Sequence, residues 1–531
     1  MQLEKFGILL CLSCGGVLNV PALKRFVDYA SKMGYNCIEL CLDDMIKIKE
    51  EPMYGFFGGG LSSEQLKEVD QYAFSKGIEI IPTIQTLAHL PRITSNPHFA
   101  DIVDIGPVLL VGEPKTYEFI EKIFKTVSET FITNKLNIGF DEAFNVGLGN
   151  YLIRNGYRDK MDIMLEHLQK VKAIADKYNR ELQMWHDMFF SGILPKYVTS
   201  AKNIHVPENV LNRIPAGIAL NYWEYDSTDP ELYDSMFNSC KEFKRDVWYT
   251  CAIHCANRFE PLLQYGINRA KVQVPALERN NMKNYIVALW GDDNNECSYF
   301  SAVPALFAVS EFVKGNFDEE LIAKKFEELF GVSYHAFFTI EEMNRYCRTK
   351  NEIHCSMAKN LLYNDPFLGL RDYTLKEILP LNYENASKEI NKYRGKMKEF
   401  NSIFEKYYAL SRVMEIKHDL GLRTREAYSS HDKAKIQEVI KRYEELINRL
   451  DIFHDAFRSD WRVENNTFGW DVNEYRVSGL IGRIKDCKRT LEEYVNNEIT
   501  QIDELEAELL SYAKADVTVC GYYGLASVRG V

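Results

Sequence analysis

The feature that most restricts how this chain can fold is a series of eight short, nearly continuous apolar runs separated by longer amphipathic stretches. The runs are 7–13 (GILLCLS), 36–42 (NCIELCL), 78–85 (IEIIPTIQ), 137–142 (NIGFDE), 182–187 (LQMWHD), 218–224 (IALNYWE), 246–252 (DVWYTCA) and 284–291 (NYIVALWG). A run that is apolar on both alternations suits a strand buried on both faces, and strands that alternate with helices suit a parallel sheet. The intervening stretches carry helix punctuation. VPALKRFVDYASKMG closes on Gly34, and SSEQLKEVDQYAFSKG opens with the capping-box spacing Ser62 to Gln65 and closes on Gly77. Eight such units predict an α/β fold, a (β/α)8 TIM barrel over residues 1–315.

After residue 315 the β signal fades and charged, 3.6-periodic stretches dominate, such as YENASKEINKYRGKMKEFNSIFEKYYALSRVMEIKHDL and HDKAKIQEVIKRYEELINRLDIFHDAF. Residues 316–531 are therefore predicted to form a mainly α-helical C-terminal domain, with no Gly/Ser/Pro-rich linker separating it from the barrel. The apolar tail VTVCGYYGLASVRGV is suited to covering an edge. A long helical half of this kind also admits homodimerisation.

The opening stretch GILLCLSCGGVLNV has three readings: the apolar part of a secretion signal, half of a zinc site, or a first buried strand. Cys11, not an aliphatic residue, stands three before Cys14, and a helix pattern follows at once without a polar linker, so the strand reading is preferred. Twelve cysteines, several inside apolar runs, read as reduced core thiols, which points to the cytoplasm. Acidic residues outnumber basic ones 76 to 64, and with no basic run this excludes a nucleic-acid surface. No apolar run approaches the roughly 20 residues that span a bilayer.

In such a barrel the reacting groups stand at the carboxyl ends of the strands. Run four ends in Asp141-Glu142, run five in Trp185-His186-Asp187, run six in Trp223-Glu224-Tyr225, and run eight in Trp290 followed by Asp292 and Glu296; run three leads into His89. Carboxylates and three tryptophans on one rim suit a sugar, whose C–H faces pack on indoles and whose hydroxyls bond to carboxylates. Neighbouring residues on a strand point to opposite faces, so Asp141 and Glu142 are poorly placed to flank one glycosidic bond from both sides. That favours a division of labour in which one acid protonates the leaving oxygen and the other orients a nucleophile that the substrate itself supplies.

NIGFDEA (137–143), GIEIIPTIQTLAHL (77–90) and LWGDDNNE (289–296) resemble glycoside hydrolase family 20, the exo-β-N-acetylhexosaminidases, and with QMWHDMFF and NYWEYD they look closest to a bacterial subgroup with a helical C-terminal region. The resemblance implies a retaining, cofactor-free enzyme acting on a small glycan with a terminal β-linked N-acetylhexosamine. Glu142 would be the general acid and base, and Asp141 would hold the acetamido N–H. Tyr225, or second Tyr249, would bond the acetamido oxygen. His89 and Asp44 would form a relay behind Glu142 that tunes it toward neutrality. Trp185, Trp223 and Trp290 would wall the subsite, and Glu296 and Asp187 would bind hydroxyls.

One departure matters. The family has an arginine just after strand 1 that grips sugar hydroxyls, and the matching place here falls in SCGGV, at or near Cys14. Either the subsite takes a GalNAc isomer or a substituted hexosaminide, or another arginine, with Arg258 a candidate, supplies the charge. Cys11 and Cys14 with Cys251, His254 and Cys255 loosely resemble zinc spacing, but small residues filling vacated space is the preferred reading, and no metal is expected. The competing functions are a catalytically weakened sugar-binding protein on the same scaffold and a barrel enzyme of metal-assisted hydrolysis.

Overall fold

The computed structural model describes residues 1–193, 199–344, 356–378, 380–510 and 522, the side chains of 374, 377 and 378 excepted. Each of the eight apolar runs overlaps a strand, run four only at Asn137: β1 (Lys5–Cys11), β2 (Cys37–Cys41), β3 (Glu79–Thr83), β4 (Lys135–Asn137), β5 (Glu181–Trp185), β6 (Ile218–Trp223), β7 (Val247–Ala252) and β8 (Asn284–Leu289). All neighbours are parallel, and the sheet closes on itself where Gly7 of β1 pairs with Cys37 on one side and Ile286 on the other. Glycine is required there, because a Cβ at residue 7 would overlap Cys37 Sγ inside the barrel. The α/β barrel expected from the run spacing is thus present.

Helices wrap the outside for the reasons their sequences suggested. In Val20–Met33 the Asn19 side chain accepts the Ala22 N–H, Gly34 takes the left-handed cap, and Ala22, Leu23, Phe26, Val27, Ala30 and Met33 form one buried face. Truncating a fully buried aromatic such as Phe26 costs about 3–5 kcal/mol. The predicted capping box at Ser62 and Gln65 is formed in both directions.

Inside the barrel the strands do not present an oily plug alone. Leu9, Ile81, Trp185, Trp248 and Ile286 form an inner apolar cluster, while Glu39, Asn137, Gln183, Asn221 and Thr250 are also buried there. Burial pushes the Glu39 carboxyl up to about 7, against hydrogen bonds from Asn137 and Thr83.

Beyond Val313 the described elements are helical, the longest being Lys433–Glu464 and Trp470–Val495. The turn between those two reaches back to the barrel mouth. Asn19 N–H donates to Glu464 O at 2.9 Å, Asn466 N–H to Val17 O at 2.8 Å, Asn466 Nδ2 to Gly59 O at 3.0 Å and Asn294 Nδ2 to Gly469 O at 3.1 Å. Of the tail VTVCGYYGLASVRGV only Tyr522 lies within the described residues; its N–H donates to Asp293 and its ring packs edge-on against Tyr363. No described helix is long and apolar enough to cross a membrane.

Candidate active site

β4 ends earlier than the sequence suggested, at Asn137, so Asp141 and Glu142 stand on a loop and not on a strand. Gly139, Phe140 and Glu142 all have positive φ, at 74°, 77° and 51°, and a Cβ on Gly139 would overlap the Gln85 side chain. Left-handed backbone costs on the order of 1–2 kcal/mol per non-glycine residue and is held by its surroundings. Here the surroundings are specific. Thr86 Oγ1 donates to Ile138 O at 2.8 Å, and Asp187 Oδ2 accepts the Glu142 N–H at 3.0 Å. The alternation that would send the two acids to opposite faces is thereby broken, and both line one cavity of about 420 Å³.

His89, itself left-handed at φ 57°, places Nε2 3.2 Å from Asp141 Oδ2 and 3.5 Å from Glu142 Oε2. The negative charge of Asp141, reinforced by its hydrogen bond and by Glu142, raises His89 to about 10 against the opposing effect of burial. Burial disfavours the Asp141 anion, but the His89 charge and the Gln85 Nε2 bond to Oδ1, at 2.9 Å, outweigh it and hold that carboxyl below the ordinary aspartate range. Asp141 is therefore an anion with an imidazolium beside it.

The aromatic wall follows the sequence expectation in part. Trp185, Trp223, Tyr225 and Trp290 all line the cavity. Trp223 stacks on Tyr225 with centroids 5.1 Å apart, Trp290 Nε1 donates to Tyr225 OH at 3.1 Å, and Trp185 lies 6.1 Å from Trp290. Tyr225 OH is thus fixed within the cavity. Tyr249 is not: its ring packs outside the barrel with Tyr222 and Phe237, and its hydroxyl donates to Glu224 O.

Four expected placements are corrected. Asp44 does not stand behind Glu142; its carboxylate is taken by Arg92 through Nε, at 2.8 Å, and Nη2. Asp187 is fully buried and holds the Glu142 backbone, so it positions that residue and does not line the cavity. Its carboxyl is pushed up to about 7 by burial first and by Asp141 second. Glu296 is fully buried against Lys359 Nζ at 2.5 Å and Arg476 Nη1 at 2.9 Å, both from the helical region, and is absent from the cavity wall. Arg258 is buried at 1% exposure with Nε on Ala256 O, away from the lining.

The cation near Cys14 is Arg92. It lines the cavity, its Nη2 donates to Ser13 O at 2.5 Å, and its Nη1 has no partner among the described residues. Asp43 and Asp292 join it on the same wall, pushed up to about 7 and about 6 chiefly by burial. Gln85, Arg92 and Asp43 were missed as site residues. The available signal was proximity: Gln85 and Arg92 flank His89 in the segment after β3, and Asp43 precedes Asp44.

Cys11, Cys14 and Cys41 also reach this cavity, whereas Cys251 Sγ contacts Tyr285 OH and Cys255 is buried elsewhere, so the loose zinc spacing does not converge. Among the described residues no group of three or more His, Cys, Asp or Glu is arranged to hold a metal ion. A larger hollow of about 1280 Å³ lies between loop 47–63 and residues 458–468, and its lining includes Lys47, Lys49, Phe56, Phe57, Arg458 and Arg462.

Comparison with known sequences matches the glycosyl hydrolase family 20 catalytic domain over residues 39–212 and the glycoside hydrolase 20C C-terminal domain over residues 335–521, between them more than half of the chain. The chain belongs to glycoside hydrolase family 20. Relatives include beta-hexosaminidase 1 of Coccidioides posadasii, 25% identical over 183 residues, and the beta-hexosaminidase of Porphyromonas gingivalis, 22% identical over 215 residues. These alignments take in 30% and 34% of this chain and 28% of each relative, so the chain spans under a third of the length of either. Similar solved structures are the family 20 exo β-N-acetylglucosaminidase of Vibrio harveyi in complex with N-acetylglucosamine (17% identity, 60% of this chain, 56% of that one, TM-score 0.46) and the family 20 β-N-acetylhexosaminidase of Streptomyces coelicolor A3(2) (17% identity, 62% and 70%, TM-score 0.45).

Proposed function

We propose that the protein is a retaining exo-β-N-acetylhexosaminidase that uses the 2-acetamido group of its substrate as the nucleophile. The observation that carries this reading is the single imidazole nitrogen shared by Asp141 and Glu142. Two acids gathered by one histidine lie on the same side of the sugar and cannot attack and protonate one bond from opposite faces, as paired glycosidase carboxylates do. An acetamido oxygen can. Asp141, already an anion and oriented by Gln85, accepts the acetamido N–H and builds negative charge toward the forming oxazolinium ion. Glu142 gives its proton to the leaving oxygen and takes one from water in the second step. Tyr225 OH, held by Trp290, bonds the acetamido oxygen, and the indoles pack against the sugar ring.

Arg92 supplies the guanidinium that strand 1 lacks, bonding sugar hydroxyls through Nη1, with Asp43 and Asp292 as acceptors. Charge-assisted bonds of this kind contribute roughly 1.5–3 kcal/mol each. The substrate is a small glycan ending in β-linked GlcNAc, GalNAc or a substituted form of either.

A panel of β-GlcNAc, β-GalNAc, β-glucoside and 3-, 4- and 6-substituted glycosides, followed by proton NMR, tests the reading. The acetamido sugars are released first as the β anomer, and the glucoside, lacking the internal nucleophile, is slower by about a thousandfold or more. An α anomer appearing first, or a glucoside cleaved equally fast, would refute it.

A further inference from the structure

Three thiols meet on the β1 side of the cavity, and the chemistry above uses none of them. Cys11 ends β1 and is paired in register with Cys41, which ends β2; Cys14 follows three residues on in the loop. Cys11 Sγ and Cys14 Sγ are 3.2 Å apart, in contact, and Ser13 Oγ lies 3.4 Å from Cys11 and 3.8 Å from each of Cys14 and Cys41. All three sulfurs belong to residues lining the cavity, Cys14 partly exposed; no other described cysteine does.

We propose that Cys11 and Cys14 form a peroxide-sensitive thiol pair, converted to an intrachain disulfide that shuts down the sugar site and reopened by a thiol reductant. Cys11 suits the first step: hydrogen bonds from Cys14 and then Cys41 hold its thiol well below the ordinary range against the effect of burial, and the thiolate is the reactive form. Its sulfur attacks one oxygen of hydrogen peroxide, the O–O bond breaks, and a sulfenic acid and hydroxide result. Cys14 sulfur then attacks Cys11 sulfur; the S–O bond breaks, and the departing hydroxide takes the Cys14 proton as water. Two thiols lose two electrons, and one peroxide becomes two waters.

The bridge requires the sulfurs to close from 3.2 Å to about 2.05 Å, a movement of about 1 Å. Cys11 cannot supply it. Its strand is bonded on both sides and its carbonyl accepts the Tyr299 hydroxyl at 2.5 Å. Cys14 moves instead, and with it the Ser13 carbonyl on which Arg92 is docked. The loss of sugar binding rests on the hydrolase reading given above; the thiol chemistry does not.

Trypsin places the pair in one peptide, residues 6–24, and Cys37 with Cys41 in another, residues 33–47. The full-length protein is exposed to hydrogen peroxide, alkylated and digested. The expected result is a peptide 6–24 two hydrogens lighter and unalkylated, a fall in hexosaminidase rate of about ten- to a hundredfold, and recovery of both with dithiothreitol. In Cys14→Ser, and separately in Cys14→Ala, the ratio of treated to untreated rate stays near one. A peptide 6–24 that keeps both alkylations, or one cross-linked to peptide 33–47, overturns the pairing, and a bridge that forms with no change in rate overturns the shutdown. The mass readout needs no substrate, so a protein that cleaves no hexosaminide at all still decides the thiol chemistry.

Discussion

At the tip of β4, Asp141 and Glu142 face one shared, partly exposed imidazole; in the loop after β8, Asp293 and Glu296 face Lys359 and Arg476 at 2.5–2.9 Å, all four side chains at 11% exposure or less. In sequence the two segments look alike, acidic residues closing an apolar run. Their partners separate them. Lys359 and Arg476 pair with the β8 carboxylates and join barrel to helices, which is a structural use. A histidine and a neutral amide flank the β4 carboxylates, which line the cavity, and the function proposed above gives them a chemical use: Glu142 to exchange a proton and Asp141 to meet the substrate.

The sharpest way to break this contrast is to neutralise one acid in each place. Glu142→Gln is expected to lower turnover about 10²- to 10⁴-fold while leaving urea-unfolding stability within about 0.5 kcal/mol of the parent. A variant that kept its rate would remove Glu142 from the acid role. Lys359→Met should do the reverse, costing about 3–5 kcal/mol in the same unfolding measurement because Asp293 and Glu296 lose a buried counter-charge. If instead KM rose with stability intact, the β8 loop would belong to the sugar site after all.

The smallest effect concerns Asp187, whose folded-state value of about 7 lies above that of the unfolded chain. Below about pH 4 both states are protonated and nothing is lost. As pH rises toward 7 the unfolded chain ionises first, so this carboxyl lowers stability, and the loss is complete above about 7. Asp187→Asn, which keeps an oxygen for the Glu142 N–H, should therefore gain in Tm relative to the parent at pH 8 but not at pH 4. An equal difference at both would place the charge outside the fold's titration.

These pairs also explain what the sequence could and could not disclose. The eight strands, the β4 acids, His89, Tyr225 and the three tryptophans follow from local pattern, since a parallel barrel turns every strand end toward one rim. Glu296 was misread because its partners arrive from Lys359 and Arg476, the second 180 residues away. Asp43 and Asp44 are neighbours whose roles are divided by a left-handed φ of 43° at Asp43 and by the Arg92 side chain, neither of which an apolar pattern encodes. The shortened β4 is a further case: the alternation rule applied to 137–142 failed because positive-φ residues replace the strand from Gly139 onward.

The turn between the two longest helices has a consequence for biogenesis. Val17, Asn19, Gly59 and Asn294 at the barrel mouth receive their partners from residues 464–469. A nascent chain that has emerged only as far as β8 holds all eight strands, and Arg92 to bond Ser13 O, yet lacks the bonds that residues 464–469 supply to this mouth. Those bonds wait on more than 150 further residues leaving the ribosome.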